Sequence, residues 1–132
     1  MSTTVFQDQD QGTYIASGAI PANRRVIFSH TGGALRVSLA GLTDKADGVS
    51  ITSAAEAGER IQIRRVNGSG TFAITSVLAV TNPSTVLFGA ADGKVSTAQG
   101  VGAFAEFISL QSGGIDEVLE AYYKPGFTAG TE

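Results

Sequence analysis

The residues best suited to nucleophilic chemistry are few in this chain. His30 is the only histidine, and Ser29 is its direct neighbour in the sequence. Neighbouring residues on a strand point to opposite faces, so these two side chains do not form a catalytic pair. The chain contains no cysteine, which removes disulfides, thiolate metal ligands and a thiol nucleophile together. The sequence therefore predicts no nucleophilic active site.

The densest group of carboxylates consists of Asp44, Asp47, Glu56 and Glu59. A calcium loop needs several closely spaced oxygen ligands with a glycine turn in register. The segment 44–48 (DKADG) lacks that register, which favours a solvated loop. The sequence thus predicts no metal site and no cofactor, and indicates a protein that is not an enzyme.

Charge and hydropathy limit the classes of partner. The net charge is −3, and the densest basic pairs, Arg24–Arg25 and Arg64–Arg65, belong to no longer basic stripe, so nucleic-acid binding is not supported. No apolar run approaches the roughly 20 residues that span a bilayer. Residues 1–11 lack the basic and apolar regions of a secretory signal. We expect a soluble protein with no nucleic-acid and no membrane partner.

The composition indicates short strands joined by tight turns in one domain. There are 132 residues, of which 17 are glycine and 42% are apolar. Glycine supplies turn conformations, while the many Val, Ile and Thr residues suit a pleated, half-buried surface. The pattern predicts an N-terminal arm at 1–13, a β domain at 14–127 and a C-terminal tail at 128–132.

The arm is polar except for Val5 and Phe6. Burying both contributes about 3–5 kcal/mol, at roughly 1.5–3 kcal/mol for each side chain. Ordering the backbone costs about 1–2 kcal/mol per residue, so these anchors cannot hold the arm without main-chain hydrogen bonds. We expect the arm to be mobile in the free protein and to add a strand to a neighbouring sheet edge, with a plain frayed terminus as the alternative.

Ten segments have the apolar, β-branched or alternating character of strands. They are 13–20, 25–29, 35–39, 48–51, 60–66, 71–75, 86–88, 94–97, 100–110 and 115–123.

Turn signals suggest how some of these strands pair. Asn67–Gly68 is a strong hairpin signal, which predicts that 60–66 and 71–75 are partner strands. Residues 67–69 also match a glycosylation sequon, which we interpret as part of the turn. Residues 91–93 (ADG) and 111–114 (QSGG) predict two further turns. Residues 53–58 (SAAEAG) fit either one helical turn or a plain loop.

The last segment is ambiguous on its own pattern. Ile115, Val118, Leu119, Tyr122 and Tyr123 have amphipathic helix spacing. The two halves of the chain share a weak pattern, in which a Gly–Val pair is followed later by an apolar pair. This echo favours a strand here, paired with the predicted strand that ends at Leu110. We therefore predict a strand here.

Together these features predict a mainly β protein, a small β-barrel or β-sandwich of the β-tulip kind, with an extended N-terminal arm and at most one or two short helices. The predicted core consists of Val26, Phe28, Leu35, Val37, Ile61, Ile63, Phe72, Ile74, Leu87, Phe104 and Ile108.

Several short motifs occur in an order that resembles one protein family, over about residues 14–127. They are 16–20 (ASGAI), 25–28 (RVIF), 47–50 (DGVS), 54–63 (AAEAGERIQI), 86–88 (VLF), 91–95 (ADGKV), 100–102 (GVG), 113–114 (GG), 117–119 (EVL) and 124–126 (KPG). The layout is similar to that of the capsid decoration, or head cement, proteins of tailed bacteriophages.

The resemblance implies a structural virion protein without catalytic residues. It would be made in the host cytoplasm and would bind the major capsid protein on the outer capsid surface, as a homotrimer or alternatively a dimer, to stabilise the shell. The residues expected at capsid or subunit contacts are Val5, Phe6, Tyr14 and Ile15. A β-sandwich module that binds a ligand or carbohydrate is the alternative function, and a hydrolase on a β scaffold is disfavoured.

Overall fold

Ten short strands make up the computed structural model, which describes residues 11–31, 34–66 and 70–126. The strands are β1 (Gln11–Ala16), β2 (Arg25–Thr31), β3 (Ala34–Leu39), β4 (Gly48–Ser50), β5 (Arg60–Arg65), β6 (Thr71–Thr75), β7 (Val86–Gly89), β8 (Val95–Ser96), β9 (Ala105–Ser109) and β10 (Val118–Tyr123). One 3-10 turn, Ala91–Gly93, lies between β7 and β8. No helix in these ranges has the length and apolarity needed to cross a membrane.

The first five strands close into a barrel in the order β1-β3-β2-β4-β5. β1 closes it, because it runs parallel to β3 and antiparallel to β5. Alternation along β5 points Ile61 and Ile63 inward, where they meet Val26 and Val37. All four side chains are at most 1% exposed, so the barrel interior is a packed core.

The last five strands form a second sheet in the order β6-β10-β9-β7-β8. Its core contains Phe72, Leu87, Phe107 and Leu119, and the Phe72 and Phe107 rings meet edge to face at 5.9 Å between centroids. Three barrel-half residues complete the same cluster: Ala46, Val49 and Val66. The two sheets therefore share one apolar interface.

The structure confirms the mainly β class and the strand character of each of the ten segments. The ambiguous segment forms β10, which pairs with β9 as predicted. The predicted turn at 91–93 joins the antiparallel strands β7 and β8. Asp92 and Gly93 adopt φ of 58° and 71° there, the left-handed conformation that such a turn requires.

The predicted pairing of 60–66 with 71–75 is wrong. β5 already has a neighbour on each side, because it pairs with β1 and with β4. β6 instead pairs with β10 at the edge of the second sheet. The chain therefore passes from one sheet to the other between β5 and β6. The Asn67–Gly68 turn itself lies outside the described residues.

Two local predictions are resolved by the main chain. Residues 53–58 form a loop and not a helical turn, with Ala54 bridged to Ile20 and Gly58 at a φ of 92°. β1 begins at Gln11, inside the predicted arm, and Gln11–Thr13 pair with β5. Residues 1–10 lie outside the described ranges.

Four members of the predicted core are not fully buried. Leu35 is 38% exposed, because it lies at the rim of the barrel near the end of the β2–β3 hairpin. Phe104 and Ile108 are only half-buried. A β-bulge changes the inward face of β9, since Leu87 pairs with Phe107 but Phe88 pairs with Ala105. Phe107 therefore lies in the core instead of the predicted Phe104 and Ile108. Phe28, on β2, is also only half-buried.

Ile63→Ala should lower the free energy of unfolding by about 2–5 kcal/mol, because it leaves a cavity in the closed barrel. Leu35→Ala is the matched control and should cost less than about 1 kcal/mol, since Leu35 already contacts solvent. Urea denaturation of both variants measures the difference. Equal losses would show that the barrel interior is not the stabilising core.

Candidate functional site

Arg25 begins β2 and is completely buried between the two sheets. Its guanidinium donates to the carbonyl oxygens of four residues and to the carboxylate of Glu106, at 2.8 Å from Nη1 to Oε1. The four carbonyl partners are Gly41, Asp44, Ala90 and Lys94, at 2.6–3.0 Å. Because these partners come from both halves of the chain, Arg25 joins the barrel to the second sheet.

Glu106 is the extra residue of the β9 bulge and is 1% exposed. A bulge redirects a side chain, and here it aims the carboxylate into the interface. Oε1 accepts from Arg25, and Oε2 accepts from the main-chain N–H of Ala46 at 2.6 Å. Burial raises the pKa of Glu106 and lowers that of Arg25, with their mutual attraction opposing both shifts.

The room for Arg25 comes from Gly89 at the end of β7. A Cβ on Gly89 would lie 3.0–3.1 Å from three guanidinium atoms, closer than such contacts normally are. Sequence analysis missed this arrangement. The sequence did contain one signal for it, the single carboxylate of Glu106 within the otherwise apolar run of residues 103–108. A charged side chain is rarely buried without a partner, so this residue indicates a buried ion pair.

The carboxylates singled out as a possible ion site serve the main chain instead. Asp44 accepts from the N–H of Gly41, Asp47 from that of Phe28, and Glu59 from that of Ala55. Among residues 11–31, 34–66 and 70–126, no three His, Cys, Asp or Glu side chains gather as metal ligands. His30 is exposed on β2.

The predicted contact residues divide into three cases. Val5 and Phe6 lie outside the described residues. Tyr14 faces the barrel core, where its ring lies 4.8 Å from that of Phe28. Ile15 points to the opposite face of β1 because of strand alternation, and it is half-buried. The structure therefore gives Tyr14 a packing role and leaves Ile15 on the outer barrel surface.

Ile15 has an arginine beside it on each neighbouring strand. The register pairs it with Arg36 of β3 and with Arg60 of β5. In the antiparallel pair Ile15–Arg60 the Cβ atoms lie about 4.5–5.5 Å apart on one face of the sheet. Arg36 lies on the same face of the sheet across the parallel pair. We call this set, Ile15 with Arg36 and Arg60, the Arg–Ile face. It presents an apolar centre between two positive charges.

A groove of about 200 Å³ separates the barrel from the edge of β6. Its walls are Val49–Ile51 and Thr71–Ala73, and its ends include Gln11, Asn23 and Arg64. Arg64 lies over the Phe72 ring, 4.4 Å from the centroid, and donates to the Thr71 carbonyl. We call this feature the β6 groove.

A second cleft has a volume of about 440 Å³. Its lining includes Phe28, Lys45, Asp47, Arg65 and Tyr123. Burial raises the pKa of the Tyr123 hydroxyl, and the nearby charges of Glu106 and Asp47 act in the same direction. Tyr123 is therefore a neutral hydrogen-bonding group at physiological pH. We call this feature the Tyr123 cleft.

Comparisons with known proteins define the fold further. No protein-family model matches the chain, and no curated protein matches it. Among solved structures, the head fiber gp8.5 N base of bacteriophage phi29 is similar, with a TM-score of 0.73 at 12% sequence identity. The match covers 86% of this chain and 92% of that one. At this identity the likeness concerns the fold, and it extends through both sheets.

Glu106→Ala should lower the free energy of unfolding by about 3–5 kcal/mol, because it leaves the Arg25 charge buried without its counterion. Glu56→Ala makes the same change at an exposed carboxylate and should alter stability by less than about 0.5 kcal/mol. Urea denaturation at neutral pH compares the two. A loss below about 1 kcal/mol for Glu106→Ala would show that the pair does not hold the sheets together.

Proposed function

We propose that this chain is a structural protein of a phage head that binds the outer capsid surface as a decoration protein. The observation that carries the proposal is the likeness of fold to a phage head fiber base over nearly all of both chains. The order of short motifs that resembles the decoration proteins supports the same class. Its proposed location is the virion, after synthesis in the host cytoplasm.

A rigid body suits this role. A decoration protein must keep its shape while the shell beneath it is under load, and a charged pair bonded across two sheets resists sliding between them. Arg25 and Glu106 provide such a link, and the shared apolar cluster around Phe107 provides a second. The carboxylates of Asp44, Asp47 and Glu59 accept hydrogen bonds from loop main chain and so help to fix the loops.

The proposed capsid or subunit contacts are the N-terminal arm and the Arg–Ile face. Residues Val5 and Phe6 would supply apolar anchors, as Ile15 does on the barrel. Arg36 and Arg60 beside Ile15 would favour an acidic patch on the major capsid protein. Tyr14 would support this contact from beneath through its packing on Phe28.

The proposed assembly is a symmetric homotrimer on the capsid, with a dimer as the alternative. A capsid lattice offers matching symmetric positions, and closed point-group symmetry is usual for soluble oligomers. A reconstruction of decorated capsids distinguishes the two states. Density only at twofold axes would exclude the trimer.

The Tyr123 cleft favours a second candidate, a module that binds carbohydrate. Aromatic side chains with polar neighbours suit a sugar, and Phe28 and Tyr123 lie in one cleft with Lys45 and Asp47. Binding of the purified protein to a panel of glycans tests this function. Tyr123→Phe would reduce binding if the hydroxyl contacts the sugar, while the capsid role predicts no specific glycan.

Purified protein should sediment saturably with capsids that lack it. Ile15→Glu should weaken this binding at least tenfold, equivalent to about 1.4 kcal/mol, because it places an acidic group between Arg36 and Arg60. Val118→Glu introduces the same charge at a site 48% exposed on the second sheet and should bind normally. Absence of sedimentation for the wild-type protein would reject the proposed function.

Deleting residues 2–10 should also weaken capsid binding at least tenfold while the thermal midpoint of the isolated protein changes little. The deletion ends before Gln11 because Gln11 and Gly12 already pair with Arg64 and Ile63. Differential scanning calorimetry and co-sedimentation measure the two effects. Unchanged capsid affinity would show that the arm is a frayed terminus.

A further inference from the structure

Within the part of the chain that the structure describes, the edge of β6 that faces away from β10 is open at Ala73. The N–H of Thr75 donates to the carbonyl of Asn23, outside the sheet, at 3.0 Å. The carbonyl of Thr71 accepts from Arg64 on the same side. Because main-chain groups alternate sides along an antiparallel strand, Ala73 between them must also direct its N–H and C=O away from β10.

The hydrogen bonds of β10 lead to the same assignment. Ala73 pairs with Glu120, whose N–H donates to the Gln111 side chain and whose carbonyl accepts from Leu110. Both bonds of Glu120 point to the β9 side. The Ala73–Glu120 pair therefore exchanges no main-chain bonds. Ala73 is exposed, and within residues 11–31, 34–66 and 70–126 nothing bonds to its outward N–H or C=O.

These two groups open into the β6 groove. Its apolar walls come from Val49, Ile51 and Phe72, and its charged group is Arg64. An extended residue could exchange both main-chain bonds with Ala73 and insert an apolar side chain against these walls. Arg64 and Asn23 close the edge on either side, so the site suits a short strand with an apolar residue and acidic neighbours.

The N-terminal segment of this chain has that chemistry. Residues 1–10 (MSTTVFQDQD) combine Val5 and Phe6 with Asp8 and Asp10, and they contain no basic side chain. Gln11, the first residue of β1, itself lines the groove. We propose that the β6 groove accepts residues 1–10 of a second copy of the chain as a short added strand on Ala73. This inference rests on the proposed assembly of several copies on a capsid.

A second copy fits better than the groove's own chain. Residues 3–6 (TTVF) contain none of the residues that favour tight turns and have the β-branched and aromatic character of an extended strand. Ten extended residues reach about 33–36 Å, enough to meet a neighbouring protomer.

Disulfide cross-linking tests the docking directly, since the native chain has no cysteine. Full-length Thr4→Cys protein is mixed with a size-tagged Ile51→Cys protein, both free and bound to undecorated capsids, under mild oxidation. Ile51 lines the groove and is 38% exposed. The matched control replaces it with Leu110→Cys, which is 40% exposed at the end of β9. The mixed product with Ile51→Cys should form at least ten times faster than that with Leu110→Cys.

Ala73→Pro in the Ile51→Cys protein should reduce this rate at least fivefold. Proline removes only the outward N–H of an edge strand, where it is tolerated, and circular dichroism checks the fold. A synthetic peptide of residues 1–10 should compete for the groove, whereas a scrambled peptide should not. The competition provides the same test if Ala73→Pro does not fold.

Equal rates for Ile51→Cys and Leu110→Cys would overturn the proposal. So would an exclusively intramolecular product in a Thr4→Cys/Ile51→Cys chain, which would assign the groove to its own arm. Capsid binding is measured separately by co-sedimentation. If the protein binds capsids but the cross-link to Ile51→Cys does not form, the groove proposal is contradicted and the proposed function is not.

Discussion

A buried arginine and a buried glutamate must share one site, and much of the molecule is arranged around that requirement. Removing both charges from water is costly, and the cost is offset only when every donor and acceptor has a partner. The interface provides this through four loop carbonyls for Arg25 and the Ala46 N–H for Glu106. The loops that supply these groups are thereby fixed in position.

The buried Arg25–Glu106 pair also explains why glycine occupies two nearby positions, 89 and 93. Gly89 leaves space for the guanidinium, and a side chain there would displace it. Gly93 approaches the Arg25 main chain, where a Cβ would lie 2.7 Å from the carbonyl oxygen, and its φ of 71° suits glycine. The β9 bulge supplies the carboxylate. Charge, turn geometry and strand irregularity are therefore coupled at the junction of the two sheets.

The division into two sheets also determines which surfaces are available to partners. Closing the barrel uses β1 between β3 and β5, which places the start of β1 beside the edge of β6. The second sheet ends at β6, where Arg64 bonds to the Thr71 carbonyl and Asn23 to the Thr75 N–H, while Ala73 between them has no main-chain partner among the residues that the structure describes. An almost covered edge limits uncontrolled sheet growth while it leaves room for a short, specific strand. For a protein proposed to assemble on a shell, that is a useful balance.

Local pattern determined the mainly β class, nine of the ten strand segments and the turn at Asp92–Gly93, because alternation and turn chemistry act over a few residues. The tenth segment, 115–123, has helix spacing and is predicted as a strand only from the echo between the two halves. The tertiary structure decided the rest. It separated β5 from β6 despite the Asn67–Gly68 signal, because both edges of β5 are occupied in the closed barrel. It also buried Glu106 and made Phe107 a core residue, since a bulge inserts one residue and shifts the period of two. The Arg25 site and the β6 groove join residues far apart in the chain, and such contacts leave no local periodicity to detect.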